Sequence, residues 1–384
     1  MSNFYSDLKT SLEKFHKVSL DSEIVIYGAG NTGKKVLNVL RSMGIEPNCF
    51  LDEYAQQTSI DGLPVRKLAN VATSRSCMVV IAIFNREPNA NIEDIKKVLT
   101  SNGFNNACSF EKFYLSYSDH FSEEFFWLAP TEKLLGKFDL AQSVEKQLGD
   151  AKSIELFRAT LKYRLTGEYR EFPPIEWDNQ YFPKDIPLLP QPWRFVDLGA
   201  FDGDTLMAFK KNNISLESVF AFEPDLKNFS ALIQNSKEFG PFAKKLACFY
   251  PCGAGKTCEI ISFASEGLES SRAFSKGQGN AANITSITSI AVGDVLKGAH
   301  PNYIKMDIEG AEAEAIMGLE DEILQERPML AVSAYHKPLD IFELPLMLQK
   351  ICPLYDFYFR LHGEHGFETV LYAIPQNSSH NKLR

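Results

Sequence analysis

The segment that most constrains the fold is residues 194–205, which read RFVDLGAFDGDT. An apolar run ends in an acidic residue, a turn with two glycines follows, and helix-forming residues come next. In an open α/β sheet, such a strand–turn–helix unit places a nucleotide-like ligand over the carboxyl end of the strand. Glycine lets backbone and ligand approach where a Cβ would collide. The segment therefore predicts a doubly wound α/β domain with a ligand site at this turn.

A second predicted strand ends in residues 219–225, VFAFEPD. Glu223 at its tip presents two acceptor oxygens side by side, which suits the two hydroxyls of an adenosine ribose. Asp197 in the first turn suits an ammonium group, held directly or through water. The alternative for Asp197 is a helix cap, for which Asp204 is better placed. We interpret Asp225 as a cap rather than a ligand.

Together the two turns predict a site for an adenosine-containing cofactor. Cys252, or the backbone beside it, is included because it follows the third predicted strand and would border the adenine. The predicted cofactor-binding residues are Asp197, Gly199, Ala200, Phe201, Asp202, Gly203, Glu223, Pro224 and Cys252.

Another glycine turn, GAGNTG at residues 28–33, fits the pattern G-x-G-x-x-G between a predicted strand and a predicted helix. Phosphate groups bind well at a helix N-terminus, because free N–H groups and the helix dipole point at them. The turn predicts a site for a nucleotide sugar or a dinucleotide. A scaffold without ligand is the alternative, since the domain is short for a full dinucleotide fold. The predicted binding residues are Gly28, Gly30, Asn31, Thr32, Gly33 and Asp52.

The chain of 384 residues is long enough for two or three domains. Strands and helices alternate at first, a mostly helical stretch follows, and prolines crowd with aromatic residues between positions 171 and 192, where they break helix and sheet. We predict a small Rossmann-like domain at 1–115, a helical connector with a Pro-rich linker at 116–190, and a larger domain at 191–384.

The last domain resumes the alternation of strands and helices. Its last two strands are joined by residues 362–366 without a helix, which predicts an antiparallel hairpin at the edge of a parallel sheet. A loop at 266–283 is expected either to close over a substrate or to be a plain surface loop, and the tail after Pro375 is expected to fray. The predicted strands are 194–199, 218–223, 246–250, 303–307, 329–335, 355–361 and 368–374. The predicted helices are 204–212, 225–238, 310–325 and 339–351.

Composition narrows the classes of function. A net charge of −9 argues against a nucleic-acid partner, which usually requires a basic surface. No apolar run is long enough to span a bilayer, and the N-terminus lacks a basic and apolar signal, so we expect a cytoplasmic protein. The seven cysteines lack the spacing of a zinc site, which predicts reduced thiols.

Four segments in this order resemble the FkbM-type family of S-adenosylmethionine-dependent methyltransferases. They are residues 195–205, 222–225, 304–312 and 333–337. The resemblance spans residues 182–375 and implies a class I methyltransferase sheet, a Rossmann-like parallel sheet with a C-terminal antiparallel hairpin. It also implies S-adenosylmethionine as cofactor and methyl transfer, commonly to a hydroxyl oxygen of a sugar or secondary metabolite. The N-terminal turn resembles the small nucleotide-binding half-domain found in front of sugar-modifying enzymes.

Candidate catalytic residues follow the fourth and fifth predicted strands. Asp307 and His336 are expected to face one cleft, and a hydroxyl nucleophile benefits from a base. His336 suits that role if its pKa is ordinary, and Asp307 suits it if burial raises its pKa; Glu309 is a third candidate. Each also has a structural alternative, a helix cap for Asp307 and a hydrogen-bonded core residue for His336. Lys305 should point to the same side of its strand as Asp307 and pair with a carboxylate.

Several alternatives stay open at this point. Asp307, Glu309 and His336 could hold a divalent metal, although we favour a site without metal. The leading function is O-methylation of a small-molecule or glycan acceptor, carbohydrate-linked or a secondary metabolite. One alternative is a nucleotide-sugar or NAD-linked oxidoreductase or epimerase centred on the N-terminal turn, and another is a non-catalytic adaptor that binds S-adenosylmethionine. The oligomeric state is left open.

Overall fold

The computed structural model describes residues 2–71, 76–122, 125–238, 243–264, 272–274 and 284–376. The chain forms two compact units, and it passes between them several times. Unit 1 comprises Met1–Gln142, Glu155–Ile175 and Leu361–Glu368, and unit 2 comprises Ser143–Ile154, Glu176–Arg360 and Thr369–Arg384. The division into three consecutive segments stays a prediction.

Unit 1 is built around a six-stranded sheet in the order β3-β4-β2-β1-β5-β6, parallel except for the β3–β4 pair. Its central strand β1 is an apolar run enclosed by parallel neighbours, as expected for a strand buried on both faces. The strands are β1 Ile24–Tyr27, β2 Cys49–Leu51, β3 Ser59–Ile60, β4 Leu63–Arg66, β5 Met78–Ile81 and β6 Ala107–Ser109. The helices, of which the last two extend into unit 2, are α1 Ser2–Glu13, α2 Asn31–Ser42, α3 Ile92–Ser101, α4 Phe110–Tyr117, α5 Thr131–Leu135, α6 Phe138–Glu145 and α7 Ala151–Thr166.

The described residues of unit 2 form two sheets. Its strands are β7 Trp193–Leu198, β8 Leu216–Phe222, β9 Ala243–Tyr250, β10 Gly253–Gly255, β11 Glu259–Ala264, β12 Arg272–Phe274, β13 Ile284–Ala291, β14 Tyr303–Met306, β15 Met329–Ser333, β16 Tyr355–Leu361 and β17 Thr369–Pro375. Its helices are α8 Asp204–Lys211, α9 Leu226–Glu238, α10 Val292–Leu296, α11 Glu312–Gly318, α12 Glu320–Glu326 and α13 Asp340–Ile351. The larger sheet has the order β16-β17-β15-β14-β7-β8-β9, and the smaller has the order β10-β13-β11-β12.

The larger sheet brings four strand ends to one edge. β9, β8, β7, β14 and β15 run parallel, and β17 pairs with β15 in the opposite direction. The register pairs Asp197 of β7 with Lys305 of β14. The turns after β7, β8, β14 and β15 therefore meet at the carboxyl edge, where open α/β sheets bind ligands. The predicted α/β fold, with a parallel sheet and a C-terminal antiparallel hairpin, is confirmed.

Two local predictions differ from the structure. The predicted helix 310–325 is divided into α11 and α12, with Leu319 between them. At Gly318, the last residue of α11, a Cβ would lie 2.4 Å from the carbonyl oxygen of Gly255. The smaller sheet was not predicted, because β10 and β12 are only three residues long and serine and threonine interrupt the apolar pattern of β13. Of the predicted loop 266–283, the structure describes only β12; the rest of that loop, and the tail beyond residue 376, lie outside the described residues.

Within the described ranges, every helix is too short or too polar to cross a lipid bilayer.

Candidate active site

The turn after β7 is shaped by the packing of the chain against itself. Gly199 has φ +84°, and a Cβ there would lie 1.9 Å from the carbonyl oxygen of Asp307. We expected this glycine to make room for a ligand, but the backbone after β14 already requires it. Ala200 is fully buried, and Phe201 adopts φ +48°. Gly203, with φ +91°, is the N-cap of α8, the position that we had considered for Asp204.

Glu223 joins this turn to the next one. One carboxylate oxygen accepts from the N–H of Phe201 at 2.9 Å, and the other accepts from the N–H of Asp225 at 2.9 Å. Burial, which outweighs these hydrogen bonds, raises the pKa of Glu223 to about 7. Each oxygen keeps a further lone pair that can accept from a ligand. The carboxylate is thus held rigidly at the tip of β8, with two oxygens side by side.

Several other residues considered in the sequence analysis lie near Glu223 in sequence or on the neighbouring strand. Asp225 caps α9, as predicted, because its Oδ1 accepts from the N–H groups of Lys227 and Asn228 at 2.8 and 3.1 Å. The N–H of Glu223 donates to Tyr250, the last residue of β9, at 3.0 Å, and Cys252 follows two residues later. Burial raises the pKa of the Cys252 thiol to about 11, so that the thiol is protonated at neutral pH. Pro224 is half-buried between Glu223 and Asp225, and Asp202 accepts from Asn235 through its carbonyl oxygen.

Asp197 and Lys305 form a buried ion pair at the ends of adjacent strands. Lys305 Nζ donates to Asp197 Oδ1 at 2.8 Å and to the carbonyl oxygen of Gly199 at 2.7 Å. Burial raises the pKa of Asp197 to about 6 even though Lys305 opposes that change. The prediction that Lys305 pairs with a carboxylate is confirmed. Asp197 itself is fully buried, and among the described residues its Oδ2 has no hydrogen-bond partner.

Four ionisable side chains form a cluster after β14 and β15, which we call the His336 cluster: Asp307, Glu309, Glu312 and His336. His336 Nδ1 lies 2.8 Å from Glu312 Oε1, and its Nε2 lies 3.3 Å from Asp307 Oδ1 and 3.8 Å from Glu309 Oε2. Glu312 also accepts from the N–H of Ile308 at 3.0 Å, which holds the turn before α11. The buried histidine is therefore surrounded by three carboxylates, of which Asp307 and Glu309 are partly exposed.

The protonation states in the His336 cluster differ from those expected for isolated side chains. Burial would lower the pKa of His336, but the charges of Glu312, Glu309 and Asp307 raise it to about 10. Burial would raise the pKa of Asp307, but His336 and Lys305, with a hydrogen bond from Tyr181, lower it. At neutral pH His336 is therefore a cation and Asp307 an anion. Neither condition for a base is met, because the pKa of His336 is not ordinary and the pKa of Asp307 is lowered rather than raised.

Two tyrosines complete the surroundings of Asp307. Tyr181 Oη donates to Asp307 Oδ2 at 3.1 Å, and Tyr335 Oη donates to Asp307 Oδ1 at 3.4 Å. Neither tyrosine was predicted from the sequence as a site residue. Tyr335 precedes His336 within a recognised segment, and Tyr181 lies in the Pro-rich linker, where crowded aromatic residues were the available signal.

A metal site was the less favoured alternative for this cluster. His336 uses Nδ1 for Glu312, and its Nε2 carries a proton in the cation, so a metal ion would have to displace that proton. Across the part of the chain that the structure describes, no group of three or more His, Cys, Asp or Glu side chains has an arrangement that could hold a metal ion.

The glycine turn of unit 1 has its own geometry. Gly28 has φ +99°, and a Cβ at Gly33 would lie 2.1 Å from the carbonyl oxygen of Gly28. Gly30 is the N-cap of α2, which begins with Asn31 and Thr32. The first and last glycines therefore serve the close packing of helix against strand, as they do in dinucleotide-binding turns.

Asp52, the acidic residue after β2, faces this turn. Its Oδ2 accepts from the N–H of Ala29 at 2.9 Å, and its Oδ1 accepts from two further backbone N–H groups at 2.8 Å each. Burial would raise the pKa of Asp52, but these three hydrogen bonds and Lys67 lower it. Asp52 thus stabilises the glycine turn through its hydrogen bond to Ala29. A ligand at Gly28–Gly33 stays a prediction.

Comparison with known proteins gives two findings. A sequence profile described as the methyltransferase FkbM domain matches residues 197–368. The crystal structure of a methyltransferase FkbM from Methylobacillus flagellatus KT is similar in fold, with a TM-score of 0.76 and 20% identity, over 97% of this chain and 99% of that chain. No curated protein sequence matches significantly. The matched segment begins at Asp197 and includes Glu223 and the His336 cluster. Residues 197–368 therefore match a methyltransferase FkbM domain, which supports the assignment of the chain as a methyltransferase.

Proposed function

We propose that the protein transfers a methyl group from S-adenosylmethionine to a hydroxyl oxygen of a carbohydrate, a carbohydrate-linked molecule or a secondary metabolite. The observation that carries this proposal is the convergence of Glu223, the Gly199 turn, Asp307 and His336 at one edge of the sheet of unit 2. The match to the FkbM domain supports the methyl transfer. The acceptor class rests on the resemblance and on the ionised Asp307.

The residues present fit an adenosine cofactor. Glu223 holds two acceptor oxygens in a fixed orientation, which suits a pair of ribose hydroxyls. Asp197 keeps a buried oxygen without a hydrogen-bond partner among the described residues, beside the turn that would hold the amino-acid end of the cofactor. S-adenosylmethionine, when bound, supplies an electrophilic methyl group on sulfur.

On the acceptor side, we assign to Asp307 the position that holds the acceptor hydroxyl. Because its pKa is lowered, it is a weak base and takes the proton only as the new O–C bond forms, when the hydroxyl becomes strongly acidic. Its carboxylate is ionised and partly exposed, so it can accept a hydrogen bond from an acceptor hydroxyl and orient the oxygen lone pair. His336 stays protonated and keeps Asp307 anionic, and Glu312 fixes the imidazole ring. Glu309 is placed to bind a second hydroxyl of the acceptor. Because much of the acceleration in methyl transfer comes from alignment, a rigid cluster suits this reaction.

The test is a methyl-transfer screen with isotope-labelled S-adenosylmethionine. Monosaccharides, nucleotide sugars, oligosaccharides and hydroxylated aromatic compounds are incubated with the enzyme, and products are detected by mass spectrometry. We expect one added methyl group on an oxygen atom, lost in Asp307→Asn and in Glu223→Ala. A methyl group on nitrogen or carbon would overturn the acceptor class. Binding of the cofactor without any transfer would favour the adaptor alternative.

A further inference from the structure

Tyr181 reaches the site from a segment that precedes the FkbM domain match. The match begins at residue 197, whereas Tyr181 lies in the linker between α7 and β7. Donors from strands of the larger sheet fix this linker: Tyr303 Oη donates to the carbonyl oxygen of Tyr181, and Tyr372 Oη donates to that of Gln180. Tyr181 also packs in the hydrophobic core of unit 2. Its backbone is thus anchored by the same strands that carry the site.

The side chain of Tyr181 contacts both halves of the site. Its hydroxyl donates to Asp307 Oδ2 at 3.1 Å and accepts from the side-chain amide of Gln180 at 3.1 Å. Its ring lies with the centroid 5.1 Å from Lys305 Nζ, within the range of a cation–π interaction. Lys305 in turn holds Asp197 and the carbonyl oxygen of Gly199. Tyr181 therefore contacts Asp307, on the proposed acceptor side, and also Lys305, which holds the turn on the proposed cofactor side.

We infer that Tyr181 is a positioning residue of the methyl-transfer site, which orients Asp307 through its hydroxyl and supports the cofactor turn through its ring. This inference rests on the proposed function. The hydroxyl holds Oδ2, so that Oδ1 is left to face His336 Nε2 at 3.3 Å. The ring stabilises the positive charge of Lys305. Burial of a lysine charge otherwise costs much free energy, because the charge leaves water. The two contacts use different atoms of Tyr181, so they can be removed separately.

Two substitutions separate the contacts, and a third controls for the loss of a buried phenol. Tyr181→Phe removes only the hydroxyl, and Tyr181→Leu removes the hydroxyl and the aromatic ring. Tyr355→Phe is the matched control, because Tyr355 is equally buried in unit 2 but donates to the carbonyl oxygen of Pro328, away from the site. Thermal unfolding of all variants establishes that each is folded before the other measurements.

The first readout is the affinity for S-adenosylhomocysteine, measured by calorimetry on the full chain. We expect Tyr181→Phe to bind within about twofold of the wild type, and Tyr181→Leu to bind about tenfold more weakly, the size of a buried cation–π contact. The second readout is the pKa of Asp307, from NMR of chains with ¹³C-labelled aspartate, assigned with Asp307→Asn. It should rise in Tyr181→Phe and stay unchanged in Tyr355→Phe. With an acceptor in hand, kcat of Tyr181→Phe should fall about tenfold or more, as for a lost hydrogen bond to a charged group.

The outcomes distinguish this inference from the proposed function. If the wild type does not bind S-adenosylhomocysteine, the proposed function itself fails. If the wild type binds but Tyr181→Leu binds equally well, and Tyr181→Phe leaves the pKa of Asp307 unchanged, the positioning role is overturned. Equal changes in Tyr181→Phe and Tyr355→Phe would also overturn it, since they would reflect a general loss of packing.

Discussion

His336 Nδ1 and Glu312 Oε1 lie 2.8 Å apart, and both side chains are almost fully buried. A buried ion pair of this kind fixes a histidine as a cation rather than leaving it to titrate near neutral pH. The positive charge of the His336 ring neutralises the negative charge of Glu312 at Nδ1. Asp307 and Glu309, which are partly exposed, lie on the Nε2 side of the ring. The histidine therefore acts as a fixed positive charge beside Asp307 and Glu309.

The first prediction concerns the pH dependence of stability. The pKa of His336 is raised in the folded state to about 10, so its contribution is fully present below the ordinary value of 6.5 and is lost as the pH rises toward 10. In the wild type, this contribution to the free energy of unfolding should fall by on the order of 3 kcal/mol between pH 6.5 and 10. In His336→Gln, this fall should be absent. Urea unfolding of both proteins at pH 6, 8 and 9.5 measures the difference. A gap between the two proteins that does not change with pH would contradict the assignment.

The second prediction concerns Glu312, whose charge comes first among those that raise the pKa of His336. Glu312→Gln keeps an acceptor for His336 Nδ1 but removes the charge. We expect a lower pKa for His336, followed through its imidazole C–H signals in NMR, and a loss of about 3 kcal/mol of stability, because the ring loses its buried counter-charge. Glu314→Gln, in the same helix turn, is the control. An unchanged histidine pKa in Glu312→Gln would refute this role.

The third prediction concerns Glu223. Its folded-state pKa of about 7 lies above the ordinary value of 4.5, so the folded state holds the proton more tightly, and stability falls as the pH rises from 4.5 to 7. In Glu223→Gln this fall should be smaller, by on the order of 2 kcal/mol. Glu217→Gln, on the same strand, is the control, because a hydrogen bond from Lys245 lowers the pKa of Glu217. The prediction fails if both variants follow the wild type from pH 5 to pH 8.

The fourth prediction separates backbone conformation from packing at two glycines. Gly199 and Gly298 have similar φ values, +84° and +79°, but a Cβ at Gly298 would meet no atom within 4 Å. Gly298→Ala should cost about 1 kcal/mol, the strain of a left-handed conformation. Gly199→Ala should cost roughly 3 kcal/mol or more, since the backbone around Asp307 must move. Equal costs, measured by urea unfolding, would show that the contact of Gly199 with Asp307 is not needed.

Much of the site could be predicted from local sequence. The strand–turn–helix pattern located Glu223 at its strand tip, the helix start identified Asp225 as a cap, and strand periodicity put Lys305 on the side of a carboxylate. Each of these features depends on neighbours within one or two elements. The α/β fold was predictable for the same reason, since its turns and apolar strands are local signals.

The features that sequence could not supply depend on residues far apart in the chain. Tyr181 and Asp307 are 126 positions apart, and no local pattern marks a tyrosine in a proline-rich linker as a neighbour of a carboxylate. The protonated state of His336 depends on three carboxylates whose distances are set only by the folded sheet. The packing that requires a glycine at position 199 could not be predicted either, because its close neighbour, Asp307, lies in the turn after another strand.

Binding of an adenosine cofactor at Glu223 is the central prediction for this protein. The decisive measurement is a calorimetric titration of the full chain with S-adenosylhomocysteine, beside NADH and UDP-glucose, for the wild type and Glu223→Ala. We predict a Kd on the order of micromolar for S-adenosylhomocysteine, weakened by a few kcal/mol in Glu223→Ala, about the size of a lost pair of charge-assisted hydrogen bonds. Binding of NADH or UDP-glucose alone, or equal affinity of both proteins for S-adenosylhomocysteine, would contradict it.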